Sequence, residues 1–118
     1  SCGACTISCP TCSCFTTKAI IYSENPKLGE RKRVFASCQI EGFDKIAGQK
    51  EIRSKASERM RYKVLHKFHD YKERFKNHHM CVGCARCISR CPESISIVST
   101  IEKMNNAIDE ITNNDIQE

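Results

Sequence analysis

Apolar residues recur at helical spacing in the middle of the chain, from Glu51 to Phe75. No proline or glycine interrupts this segment, and Leu65 widens its apolar face. The apolar stripe, at steps of four or three residues, consists of Ile52, Ala56, Met60, Val64, Phe68, Tyr71 and Phe75. The pattern predicts one long amphipathic helix over 51–75 with this stripe turned towards the interior.

Short strands are predicted on the N-terminal side of this helix. The segments Lys18–Tyr22 and Arg31–Ala36 have strand character, and Asn25-Pro26 and Gly29 are turn signals between them. The stretch Asp44–Gln49 contains a glycine and is predicted to be a loop.

The C-terminal part predicts a strand followed by a helix. Ser94–Val98 alternates apolar and polar residues, which favours a short strand. Ser99 and Glu102 have the spacing of a capping box, which marks the start of a helix. This helix is expected to pack across the domain through Ile101, Met104, Ile108 and Ile111.

Length and composition indicate one small domain over 1–118. The chain has 118 residues, of which 40% are hydrophobic and 28% charged. Its longest apolar run, Ala19–Tyr22, is far below the roughly 20 residues of a membrane span, so no membrane insertion is expected. No signal-peptide pattern is present, and the start at Ser1 without a methionine suggests the C-terminal part of a longer chain.

The cysteine content is the strongest indication of the class of protein. The chain has 10 cysteines, far above ordinary usage, which leaves a disulfide scaffold or a metal protein. Disulfide frameworks spread their cysteines along the chain, whereas only Cys38 stands apart here, so the clustering favours a polynuclear metal centre. The two bursts are Cys2, Cys5, Cys9, Cys12 and Cys14, and then Cys81, Cys84, Cys87 and Cys91.

The second burst has the spacing C-x2-C-x2-C-x3-C-P, which is that of bacterial [4Fe-4S] proteins. Cys81, Cys84 and Cys87 are predicted to hold three irons of one cube, while Cys91 ligates the other cluster. A zinc ribbon needs two C-x2-C pairs separated by a spacer, and no spacer is present. The motif therefore predicts iron–sulfur chemistry, with a zinc-bound nucleic-acid-binding module as the rival from another class.

The first burst repeats this motif without its leading cysteine, because Cys2, Cys5, Cys9 and Pro10 match the last three cysteines and the proline. Two motifs predict two [4Fe-4S] clusters in a ferredoxin-like module. The first cluster is held by Cys9, Cys81, Cys84 and Cys87, and the second by Cys2, Cys5 and Cys91. The eighth ligand is left open: it belongs to an upstream segment, or Cys12, Cys14 or Cys38 supplies it.

About seventy residues separate the two motifs, where a compact ferredoxin has a short hairpin. The predicted fold class is therefore α+β, a dicluster bacterial ferredoxin-like module with a long helical insertion over about 15–80 and a C-terminal helix. Reduced, metal-bound cysteines indicate a reducing, oxygen-poor, cytoplasmic setting.

The predicted long helix is strongly basic, with ten Lys or Arg against four acidic residues between Lys50 and Lys76. Three interpretations remain: a solvated helix face, a positive field that offsets cluster charge, or a docking surface for an acidic redox partner. Nucleic acid is not expected as a partner, because the aromatic residues lie on the apolar stripe and are not interleaved for base stacking.

Several further segments resemble the iron–sulfur domain shared by the A subunit of anaerobic sulfite reductase and the β subunit of sulfhydrogenases. The shared elements are Cys5-x3-Cys9-Pro10-Thr11-Cys12-x-Cys14-Phe15, Ala36-Ser37-Cys38, Arg59-x-Arg61 with His66-Lys67, and Met80-Cys81-Val82-Gly83-Cys84-x-Arg86-Cys87. The sulfite reductase member is favoured by Ala47-Gly48, by Arg59-Met60-Arg61-Tyr62-Lys63-Val64, and by Cys91-Pro92-Glu93-x-Ile95-Ser96.

The resemblance implies a non-catalytic electron-transfer subunit of an oxidoreductase complex. A flavin-containing reductase subunit, supplied by a reduced nicotinamide, would give it electrons, and a sirohaem-containing catalytic subunit would use them to reduce sulfite to sulfide. The alternative within the family is an electron-transfer subunit of a sulfhydrogenase or another hydrogenase. The chain itself has no activated nucleophile, phosphate-binding glycine loop or Rossmann fingerprint, so substrate chemistry is expected to lie in other subunits.

Overall fold

The computed structural model describes residues 2–115 and has an α+β architecture. Two antiparallel strands, β1 (Phe15–Ile21) and β2 (Gly29–Phe35), pair along their whole length from Phe15 opposite Phe35 to Ile21 opposite Gly29. In the turn between them, the side chain of Asn25 accepts a hydrogen bond from the amide of Lys27 at 3.1 Å, a typical turn contact of asparagine. The two predicted strands are confirmed, and each begins two or three residues earlier than predicted.

The hairpin lies mostly on the surface. Every residue of β1 is exposed, and Val34 is the single half-buried residue of β2. The sheet therefore contributes little to the core within residues 2–115.

The predicted long helix is present but starts later than expected. A 3-10 helix (Ala47–Gln49) lies in the predicted loop, and α2 (Ala56–Leu65) continues through a π-helical turn (His66–Asp70) into α3 (Tyr71–Phe75). The late start has a local cause, because residues 50–55 make other contacts. The side chain of Glu51 accepts a hydrogen bond from the Gly42 amide, and the Arg53 guanidinium pairs with Asp44 at 2.7 Å.

The inward face of this helix differs from the predicted one. Among the predicted stripe residues, Val64 is buried, whereas Ile52 and Phe75 are exposed. The other buried residues of the helix are basic: Arg59, Lys63 and Lys67. The prediction of an apolar inward stripe therefore holds in its middle, where Met60, Phe68 and Tyr71 are half-buried beside Val64, and is wrong at its two ends.

The C-terminal region forms a single helix, α5 (Ile97–Asp115), and the predicted strand over 94–98 is wrong. Ser94 has a left-handed backbone (φ 52°), which is incompatible with a regular strand. The side chain of Ser96 accepts a hydrogen bond from the Ser99 amide at 3.3 Å, so Ser96 caps the helix in place of the predicted Ser99.

The predicted packing of this helix holds only at its start. Ile97 is buried and Ile101 is half-buried, but Met104, Ile108 and Ile111 are exposed. No helix among residues 2–115 is both long enough and apolar enough to cross a membrane.

The apolar core is small. Among the described residues, the buried hydrophobic side chains are Cys38, Val64 and Ile97. The accessible surface is 9240 Å², against roughly 6500 Å² for a compact folded chain of this size. The radius of gyration is 18.3 Å, where about 13 Å is typical. The apolar side chains of residues 2–115 therefore supply little of the stabilisation that a domain needs.

Candidate iron–sulfur centre

Two short helices carry the cysteine motifs, and they begin in the same way. The helix α1 (Ala4–Ile7) follows Gly3, which has a left-handed backbone (φ 75°). The helix α4 (Arg86–Ser89) follows Ala85, which is also left-handed (φ 57°). The repeat in the sequence is therefore also a repeat of backbone conformation.

The hydrogen bonds of the two motifs agree closely. Two amides of α1 donate to the Gly3 carbonyl at 2.9 and 3.1 Å, and two amides of α4 donate to the Ala85 carbonyl at 2.9 and 3.1 Å. The amides of Cys9 and Cys91 then donate to the carbonyls three residues earlier, at 3.3 and 3.1 Å. Each of these cysteine carbonyls accepts from the amide three residues later at 3.2 Å. The two motifs thus hold their last two cysteines in matching geometry.

Gly3 is required by its surroundings as well as by its backbone angle. A Cβ atom there would lie 2.9 Å from the Ser37 hydroxyl oxygen and 3.3 Å from a methyl carbon of Ile40. Ser37 in turn donates to the Thr6 hydroxyl at 3.0 Å. These contacts fix the first motif against the segment that follows the hairpin.

A cavity of about 270 Å³ lies between the second motif and the long helix. Five cysteines line it. Four of them are those predicted to share the first cluster, Cys9, Cys81, Cys84 and Cys87, and the fifth is Cys5. Within the described chain, these cysteines thus line one common cavity.

A second cavity, of about 380 Å³, adjoins the first. It is lined by Cys2, Cys5 and Cys91, which are predicted to share the second cluster, and by Cys87. Because Cys5 and Cys87 line both cavities, the two spaces are neighbours.

The donor set suits a cluster better than a single ion. Among residues 2–115, no three Cys, His, Asp or Glu side chains converge closely enough to hold one metal ion. In a zinc site, four thiolates bind one ion. In a four-iron cube, each iron binds one thiolate of the protein, so the four sulfurs lie farther apart. The four cysteines Cys9, Cys81, Cys84 and Cys87, which line one cavity, match in number the four thiolates of such a cube.

Lysines modify the charge around these cysteines. Partial burial raises the pKa of Cys9, but hydrogen bonds with Thr11 and the positive charge of Lys67 outweigh it, and the pKa lies below its ordinary value. Burial raises the pKa of Cys87, and the charge of Lys63 opposes that effect. Both lysines thus favour the thiolate form that iron requires.

These lysines are the functional residues that the sequence reasoning missed. The sequence places them within the basic helix, where they count only towards its charge. Arg59, Lys63 and Lys67 are spaced four residues apart, which puts them on one helix face. That spacing is the signal by which they could have been found.

The remaining cysteines lie elsewhere. Cys12, Cys14 and Cys38 are not among the residues that line the two cavities. Cys38 is buried, and the Gln39 side-chain amide donates to its sulfur at 3.7 Å. The hydrogen bond between the Cys14 and Cys38 side chains lowers the pKa of Cys38 to about 6 and raises that of Cys14. Cys14 and Cys38 thus interact with each other, and neither lines a cavity.

We expect Cys38→Ser to leave iron and sulfide per chain unchanged, because Cys38 lines neither cavity. The stability should fall by about 1 kcal/mol, the usual effect of a buried substitution. The measurement is iron and acid-labile sulfide per chain, with Cys12→Ser as the matched control. A loss of iron in Cys38→Ser alone would show that Cys38 is a ligand.

Comparison with known proteins agrees with this chemistry. The model of a family described as "4Fe-4S dicluster domain" matches residues 1–95. The chain is 31% identical over 107 residues to sulfhydrogenase 2 subunit beta of Pyrococcus furiosus, which covers 91% of this chain and 30% of that protein. The chain therefore spans about a third of the length of this curated relative. No solved structure matches it.

Proposed function

Because the chain belongs to the 4Fe-4S dicluster domain family, we propose that it is an electron-transfer subunit that holds two [4Fe-4S] clusters. The observation that carries this proposal is the pair of adjoining cavities, each lined by cysteines of both matching motifs. Two neighbouring redox centres form a relay, because an electron that enters at one can pass to the other.

The proposed ligands follow the motif pairing. The first cluster is held by four cysteines that all line the first cavity, Cys81, Cys84, Cys87 and Cys9. The second cluster is held by three cysteines that line the second cavity, Cys2, Cys5 and Cys91. When bound, each cluster supplies reversible one-electron transfer.

The chain's own residues have three tasks in this proposal. The cysteines bind the irons, the left-handed residues Gly3 and Ala85 orient the motif helices, and Lys63 and Lys67 supply positive charge. The single domain over 1–118, with its insertion over about 15–80, remains part of the proposal.

We propose a multi-subunit oxidoreductase as the setting. The motifs that resemble the anaerobic sulfite reductase A subunit favour a flavin-containing reductase subunit as the donor and a sirohaem-containing subunit as the acceptor, in a cytoplasmic complex. A sulfhydrogenase complex is the second candidate, which the 31% identity to a sulfhydrogenase beta subunit favours. Co-purification without oxygen separates them: a sirohaem absorption spectrum supports the first and nickel supports the second.

The test of the cluster assignment is to purify the protein without oxygen and to measure iron, acid-labile sulfide and zinc per chain. We expect about seven to eight irons with a similar amount of sulfide, since two four-iron clusters are proposed. The EPR spectrum of the reduced sample should show two interacting signals, because the cavities adjoin. Zinc without sulfide would end the electron-transfer proposal and favour the zinc module.

A further inference from the structure

Three basic residues of the long helix are buried on one face. Arg59, Lys63 and Lys67 are only 6%, 5% and 8% exposed. Buried lysines and arginines are rare in proteins unless they are paired, because removing a charge from water is costly. Three buried basic residues on one helix face therefore indicate that a negatively charged group lies beside them.

Two of the three have neutral partners. The Arg59 guanidinium donates to the carbonyls of Arg53 and Ser54, at 3.1 and 2.6 Å. The Lys67 ammonium lies 3.4 Å from the Thr11 hydroxyl and 3.5 Å from its carbonyl. In addition to these neutral partners, the charge of Lys67 acts on the Cys9 thiol.

Lys63 is in a different position, because it lines both cysteine cavities. Among residues 2–115, no carboxylate forms an ion pair with it. Its positive charge acts on two cysteine thiols, lowering the pKa of Cys38 and opposing the burial that raises the pKa of Cys87. Lys67, by contrast, lines the first cavity and not the second.

We propose that the ammonium group of Lys63 balances the negative charge of both clusters and raises both reduction potentials. This inference rests on the proposed function. An oxidised four-thiolate cube has a net charge of about −2, and reduction adds one more electron. A positive charge beside the cube stabilises the reduced form more than the oxidised form, and burial strengthens the effect.

The location of the two lysines makes the proposal specific. Removing the charge of Lys63 should lower both potentials, since the residue borders both cavities. Removing the charge of Lys67 should lower mainly the potential of the first cluster. A general effect of net charge would not distinguish the two lysines.

The experiment is an EPR-monitored redox titration of the complete protein with both clusters, using dithionite as the reductant. The variants are Lys63→Met, Lys63→Arg and Lys67→Met, with Lys72→Met as the matched control. Lys72 is on the same long helix but is exposed and lines neither cavity, so its loss removes the same net charge without changing the lining of either cavity. Iron and sulfide are measured in each variant before titration.

We expect Lys63→Met to make reduction of both clusters about tenfold less favourable, which corresponds to about 59 mV for a one-electron couple. Lys63→Arg should restore potentials close to those of the wild type, and Lys72→Met should leave them unchanged. Lys67→Met should shift one cluster only. Loss of clusters in Lys63→Met but not in Lys63→Arg would also support the proposal, because arginine keeps the positive charge that methionine lacks.

Three results would overturn the inference. Unchanged potentials in Lys63→Met would remove the electrostatic role. Equal shifts in Lys63→Met and Lys63→Arg, or loss of clusters in both, would assign Lys63 to packing. The proposed function fails separately, if the wild-type protein itself contains no iron and sulfide.

Discussion

Replacing Cys84 with serine is expected to remove or convert one of the two clusters and to lower the iron content to roughly half, since each cube holds four irons. Cys84 lines the first cavity and not the second, so the second cluster should remain. Cys84 also precedes Ala85, whose left-handed backbone starts the motif helix α4. Losing the cluster should therefore loosen α4 and lower the stability by several kcal/mol, because cluster binding and folding are linked.

The measurement is iron and sulfide per chain, followed by thermal unfolding without oxygen. Cys12→Ser is the matched control, because it changes the same atom in a cysteine that lines neither cavity. Full iron content together with an unchanged melting temperature in Cys84→Ser would refute the assignment of the first cluster. Loss of nearly all iron would show instead that the two clusters assemble only together.

The features that the sequence predicts well depend on local interactions. The hairpin follows from strand-forming residues around Asn25-Pro26, and the turn contact of Asn25 agrees with that reasoning. The repeat of the cysteine motif is visible as spacing, and matching backbone hydrogen bonds accompany it. In both cases neighbouring residues determine the conformation.

The features that the sequence does not predict depend on distant partners. The helix prediction assumed an apolar interior, but the helix faces cysteine-lined cavities, so Lys63 is buried while Ile52 is exposed. The start of α5 is a second example. Its first residue, Ile97, lines both cavities, and the alternation over 94–98 does not reveal that contact. The Ser96 cap then starts a helix where alternation had predicted a strand. Hydrophobic periodicity cannot distinguish an apolar core from a metal-filled one.

Removing the iron is expected to abolish the cooperative folding of the domain. The buried apolar side chains among residues 2–115 are Cys38, Val64 and Ile97, and Ile97 lies at the border of both cavities. Domains are stable by only about 5–15 kcal/mol, and a structural metal can contribute about 10 kcal/mol or more. In our proposal, the clusters lie between the first motif, the second motif and the long helix. Removing them therefore removes the contacts that connect these three segments.

The measurement compares the protein before and after iron is removed with a chelator under anaerobic conditions. Its urea unfolding curve should lose its sigmoidal transition, and the amides of α1, α4 and the first turn of α5 should lose protection from hydrogen exchange. Adding iron and sulfide back should restore both, while chelator already saturated with iron should have no effect. An iron-free chain that unfolds cooperatively at the original urea midpoint would show that side-chain packing alone stabilises this fold and that the clusters serve electron transfer only.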